Sequence, residues 1–211
     1  MNLTKINIIA QTDDYIVINK PAGIEAEHGV AAALNDDATY YCVHRLDTPT
    51  SGLLVYAKNK TFANDLSQQI QSQQLHKTYL AVVKGLIDDQ GEMIDYLYRD
   101  RRAGKSYVVK RQRKGVKEAR LSYQRLAYNQ ANDLSLVKIK LKTGRFHQIR
   151  CQFAARAMPL VGDGKYGSRV KANHLALCHC ELSFIDHHRR VEFKISPPDE
   201  YPWTVFDCIE S

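Results

Sequence analysis

The chain has 211 residues, a hydrophobic share of 44%, and 30 Lys+Arg against 23 Asp+Glu, for a formal net charge of +7. That length can bury a core without a metal or disulfide staple, and the composition excludes intrinsic disorder, collagen and coiled coil. Apolar runs such as Leu53–Ala57 and Tyr79–Val83 fall far short of the ~20 residues of a membrane-spanning helix.

In chain order, Ile6–Ala10 and Tyr15–Asn19 read as a hairpin of two strands. Lys20-Pro21-Ala22-Gly23 breaks the second strand into a loop. Ser51-Gly52 introduces Leu53–Ala57, a buried strand. From Asn59, Phe62, Leu66 and Ile70 recur every four residues among polar ones, predicting an amphipathic helix to about Gln73. Lys77–Lys84 alternates and reads as a strand ending at Gly85. Met93–Tyr98 reads as a short strand, with turns at Ala103-Gly104-Lys105 and over Lys110–Lys117. Ala119–Tyr128 and Leu134–Leu141 read as paired strands. Phe146, Ile149, Phe153, Ala154 and Ala157 follow helical spacing, and Pro159 closes that helix. Leu175–Ile185 and Arg190–Ile195 form a last strand pair. Strands predominate, with two clear helices and few βαβ connections, so the expected class is α+β with a mixed, largely antiparallel sheet. No Pro/Ser-rich linker divides residues 1–211, which are expected to form a single domain.

Met1–Ala10 shows no signal-peptide core. Five scattered cysteines make an odd count that fits reduced thiols, hence a cytoplasmic protein. Cys178-His179-Cys180 lacks zinc-ligand spacing, because neighbours on a strand face opposite ways, so no metal is expected. The charge is local. Arg99–Arg120 holds ten basic and two acidic residues, a net +8, which leaves −1 for the remainder. Such a cluster points to a polyanionic partner, although an isolated charge run also suits a plain solvated surface.

Two constellations carry candidate chemistry. His44-Arg45-Leu46-Asp47 lies on a loop before the turn Thr48–Gly52 and the buried strand. A strand fixes such a carboxylate while its loop leaves it open to a ligand, but by spacing alone the pattern favours an Asp that caps its own turn, the commoner use of the residue. Thr143-Gly144-Arg145-Phe146-His147-Gln148-Ile149-Arg150 runs from a strand through a glycine turn into a helix. Arg145 and His147 suit an anion there. Arg150 falls on the apolar side, where it either meets a carboxylate or snorkels over the core.

Four motifs, in order and over nearly the whole chain, resemble RluA-type pseudouridine synthases. They are Asn19-Lys20-Pro21-Ala22-Gly23; His44-Arg45-Leu46-Asp47 with Thr50-Ser51-Gly52-Leu53-Leu54; Lys77 and Tyr79 through Gly85; and Thr143–Arg150 followed by Pro159, Gly162-Asp163 and Lys165-Tyr166-Gly167. The resemblance implies the pseudouridine synthase fold and isomerisation of uridine to pseudouridine in rRNA or tRNA, without a cofactor. It implies an essential Asp47, which attacks C1′, stabilises charge there or removes the C2′ proton. Tyr79 is implied as the aromatic beside the uracil, and Arg150 as the basic partner of the carboxylate. Arg45 resembles the residue that enters RNA where the flipped base leaves. His44, Arg145, His147 and Gln148 are expected to meet RNA, as are Lys110, Arg111, Arg113 and Lys114 through its phosphates. A single catalytic domain without a separate N-terminal RNA-binding domain, monomeric and with RNA as its partner, completes the expectation. A non-catalytic RNA-binding or folding factor on the same scaffold is the alternative.

Overall fold

The computed structural model describes residues 6–34 and 38–207; the start of Met1–Ala10 and the fifth cysteine, Cys208, lie outside them. Along the chain run β1 (Asn7–Gln11), β2 (Tyr15–Lys20), α1 (His28–Leu34), β3 (Tyr41–Cys42), β4 (Ser51–Ala57), α2 (Lys60–Gln71) and β5 (His76–Lys84). They are followed by β6 (Gln90–Asp100), β7 (Lys105–Val109), β8 (Val116–Asn129), β9 (Leu134–Leu141), α3 (Gln148–Ala154), β10 (Leu177–Asp186) and β11 (Arg189–Lys194). The chain divides into two compact units, Met1–Lys77 with Cys178–Pro197, and Thr78–Leu177 with Pro198–Ser211.

The first unit builds a mixed sheet in the order β1-β2-β4-β10, with β11 on β10 and β3 on β4. β4 is antiparallel to β2 and parallel to β10. Every residue of β4 is buried, which explains why Leu53–Ala57 is continuously apolar rather than alternating. Helix α2 covers one face. The Asn59 side chain accepts from the Phe62 N–H at 2.9 Å and caps the helix, a contact typically worth ~1 kcal/mol. Phe62 and Leu66 then pack with Tyr15, Val17, Leu53, Val55, Leu182 and Phe184. The Tyr15 and Phe62 rings stack with centroids 5.3 Å apart, and Phe184 meets Tyr15 edge-on.

The second unit is an antiparallel sheet in the order β5-β9-β8-β6-β7. Helix α3 lies on one face, with Cys151 against Leu97 and Ala119 and the Phe153 ring edge-on to Tyr123.

The α+β class and the mixed sheet are those expected. Three local readings change. Helix α1 was not predicted: Val30 is its one buried side chain, too little to make a periodic pattern. Helix α3 has seven residues, not the Phe146–Ala157 span, because His147 (φ 54°) and Ala157 (φ 60°) take left-handed conformations at either side. Strand β6 extends to eleven residues, and β8 begins at Val116, so the basic turn occupies 110–115.

Candidate active site

In the first unit the Asp47 loop is held from beneath by a buried lysine. Lys20 ends β2, and its side chain is fully buried. Its Nζ donates to the carbonyls of Pro21 (2.8 Å), Ile24 (2.9 Å) and Thr48 (3.2 Å). Three bonds saturate an ammonium. The Gly23 N–H also donates to the Thr48 carbonyl at 2.8 Å, and the Thr50 N–H closes the turn on the Asp47 carbonyl at 2.9 Å. The two motif loops are therefore joined one residue from the carboxylate. Burial pushes the Lys20 ammonium down to about 8, against the opposing pull of the Asp47 and Glu25 charges.

Gly52 is required where β4 leaves this loop. Its φ is +119°, and a Cβ there would sit 2.5 Å from the backbone N and O of His179. The close approach brings His179 beneath the motif: its Nδ1–H donates to the Leu53 carbonyl at 2.5 Å, and its ring meets His44 edge-on at 6.1 Å. His44, expected at the RNA, is buried instead, with Nε2 accepting from the Val55 N–H at 3.4 Å. Burial drives its pKa well below the usual imidazole value, and His179 falls to about 3, from burial first and then from the Lys77 charge. Arg45 is exposed and pairs with Glu27 at 3.1 Å.

In the second unit Tyr79 is buried on β5, opposite Ile139 of β9. Arg150 is buried on α3. Its Nε and Nη2 donate to the two oxygens of Asp163 at 2.7 and 2.8 Å, with the side chains 5% and 1% exposed. The carboxylate that an inward Arg150 demands is thus present within the same unit. Asp163 also accepts from the Tyr166 N–H at 3.3 Å, and the Arg150 guanidinium sits 5.1 Å from the Tyr166 ring centre.

The Tyr166 hydroxyl joins two further segments. It accepts from the Ser106 N–H at 2.8 Å and lies 3.0 Å from His147 Nδ1. His147 is kept neutral by burial and then by the Arg150 charge, which together push it down to about 3. Ser106 Oγ donates to the Phe146 carbonyl at 2.6 Å, which ties β7 to the same loop. Gln148, also expected at the RNA, is an internal staple: Oε1 accepts from Thr143 Oγ1 and the Arg145 N–H, and Nε2 donates to the Arg120 carbonyl. Arg145 is half-buried, with Nε on the Glu118 carbonyl at 2.8 Å. Lys110, Arg111, Arg113 and Lys114 are all exposed in the loop between β7 and β8.

Sequence reasoning named no role for Lys20, Asp163 or Tyr166. Lys20 carried one signal, a lysine ending a strand of buried apolar residues. Asp163 carried another, an acid beside Gly162 downstream of an inward-facing arginine.

The family model described as RNA pseudouridylate synthase matches residues 14–155. A protein of Haemophilus ducreyi named tRNA pseudouridine synthase C is 36% identical, over 89% of this chain and 88% of its own length. An uncharacterized RNA pseudouridine synthase of Aquifex aeolicus is 32% identical, over 97% of this chain and 69% of its own length. Among solved structures, human RNA Pseudouridylate Synthase Domain Containing 1 superposes with a TM-score of 0.84 at 24% identity, covering 99% of this chain and 89% of that one.

Proposed function

The chain belongs to the RNA pseudouridylate synthase family, and on that premise we propose that it isomerises particular uridines of rRNA or tRNA to pseudouridine, with Asp47 as the essential carboxylate, Tyr79 beside the uracil and Arg150 as the basic catalytic residue. The reaction breaks the N1–C1′ bond, turns the base and joins C5 to C1′. The proton leaving C5 is balanced by one gained at N1, so no cofactor or redox partner is needed. The enzyme acts as a cytoplasmic monomer with RNA as its partner.

The observation that carries this proposal is the anchoring of the Asp47 loop by Lys20. Three ammonium bonds and the Gly23 N–H fix the backbone beside the carboxylate, and the same cation is electrostatically coupled to Asp47. A carboxylate carried on a backbone fixed in this way, within the field of the Lys20 charge, suits each of the three roles open to Asp47, since all require the ionised form. The buried Tyr79 ring suits stacking on uracil, and a phenol can assist proton transfer at C5. Arg45, Arg145 and His147 are retained as RNA contacts, with the basic loop 110–115 holding phosphates. His44 and Gln148 instead support the two motifs from inside.

Release of tritium from bulk tRNA or rRNA labelled at uridine C5 tests the activity. Wild type releases tritium, and Asp47→Ala abolishes release while the protein stays folded. Release by the Asp47→Ala protein at the wild-type rate would remove Asp47 from the mechanism, and no release by wild type from any bulk RNA would remove the activity itself.

A further inference from the structure

The β6–β7 hairpin has one face turned to α3 and one turned away. Leu97 and Ser106 belong to the covered face. On the other, Tyr98 of β6 and Tyr107 of β7 stand directly opposite each other, so their side chains share that face. They are 36% and 45% exposed, and Ile94, on the same face by the period of two, is 53% exposed. Two neighbouring aromatic rings and an isoleucine left in water on a well-paired strand call for a partner.

The surroundings define its chemistry. The Arg113 guanidinium lies 5.6 Å from the Tyr98 ring centre, and Lys110, Arg111 and Lys114 are exposed in the same loop. Among the described residues, none of these four has a carboxylate partner. Tyrosines beside unneutralised cations match the two components of single-stranded nucleic acid, flat bases and a phosphate chain. A second copy docked on this face would set the same cations against themselves.

We propose that this face is a stacking platform for unpaired RNA bases: Tyr98 and Tyr107 receive bases while Lys110, Arg111, Arg113 and Lys114 hold the flanking phosphates. The inference rests on RNA being the substrate, and it specifies an RNA with a single-stranded segment. A base paired within a duplex offers no free π-face to the rings, so the platform discriminates by strandedness rather than by base identity.

The test compares binding of an unstructured oligouridylate and a fully paired two-stranded RNA duplex by the full chain. Tyr98→Ala and Tyr107→Ala each weaken oligouridylate binding at least about fivefold, leave duplex binding unchanged and leave the salt dependence of binding unchanged. Tyr98→Phe and Tyr107→Phe bind like wild type, because the ring is kept. Unchanged oligouridylate affinity in both alanine variants overturns the platform. Photocrosslinking of the unaltered protein to a 4-thiouridine oligonucleotide guards against misfolding of the variants: adducts on Tyr98 or Tyr107 support the proposal, and adducts confined elsewhere overturn it. Sedimentation that reveals a dimer dissolved by the alanine substitutions would give the face to a second copy and overturn it too. Tritium release, measured in parallel, separates the two claims. Release with undiminished variant binding removes the platform and keeps the enzyme; lost binding without any wild-type release keeps the platform and removes the activity.

Discussion

Two buried charges do most to shape the candidate site, and neither was assigned a role from sequence. Lys20 is an ammonium inside the fold with three carbonyls around it. Removing it leaves those carbonyls short of a donor and frees the backbone beside Asp47. We expect Lys20→Met to slow tritium release tenfold or more with little change in KM, and to speed amide exchange at Gly23, whose N–H shares the Thr48 carbonyl. Wild-type exchange and turnover in this variant would show that Lys20 does not position the loop. Asp163 is the counterpart in the second unit. Its carboxylate takes two bonds from Arg150 at 1% exposure. Deleting one member of a buried pair strands the other, at a cost of about 3–5 kcal/mol. Urea unfolding of Asp163→Ala should register that loss, and a loss below about 1 kcal/mol would mean that Arg150 finds another counter-charge. The motif spacing put Arg150 on the apolar side of its helix but left open whether it met a carboxylate or snorkelled over the core, because Asp163 lies thirteen residues on and reaches it through a turn that periodicity does not describe.

Among the elements, those with an unbroken pattern were legible and those ended by special backbone were not. Helix α2 is announced by Asn59 and by Phe62, Leu66 and Ile70, and it forms there. Helix α3 was overextended, since the left-handed residues on either side are not announced by side-chain type: His147 is held by Tyr166, nineteen residues on, and Ala157 lies in a closing turn whose N–H groups return to Phe153 and Ala154. The β7–β8 loop was recognised from charge alone, and its cations are exposed as a solvated run requires. Its proposed task gives a measurable slope. Each phosphate contact released should reduce the fall of log K with log[salt] by about 0.7–0.9. Replacing Lys110, Arg111, Arg113 and Lys114 together with Ala should therefore flatten that slope and raise KM for RNA, with kcat retained. An unchanged slope would leave the loop as a solvated surface.

For the whole molecule, buried histidines contribute to the acid limb of stability. His179 and His147 both fall to about 3 in the folded protein, chiefly through burial, whereas an unfolded histidine titrates near 6.5. Between about pH 6.5 and 3 the unfolded chain therefore binds more protons, and stability falls as pH falls, by about 1.4 kcal/mol per pH unit for each histidine across the middle of that window. Urea unfolding from pH 6 to 4 should show His179→Gln losing one such increment of slope relative to wild type; equal slopes would mean that His179 is not neutral in the fold. The sequence by itself determined the α+β class, the strand pairs β1–β2, β8–β9 and β10–β11, the amphipathic helix, the family and the local excess of charge. These follow from side-chain period, turn chemistry and ordered motifs, which are properties of neighbours in the chain. Only the tertiary structure decided that His44 and Gln148 turn inward, that Lys20 holds the Asp47 loop, that Arg150 pairs with Asp163 and that Tyr98 and Tyr107 share an open face. Each of these depends on which segments, far apart in sequence, supply the hydrogen-bond partners that buried polar groups require, or on which strand registers with which. No one-dimensional pattern encodes those partners.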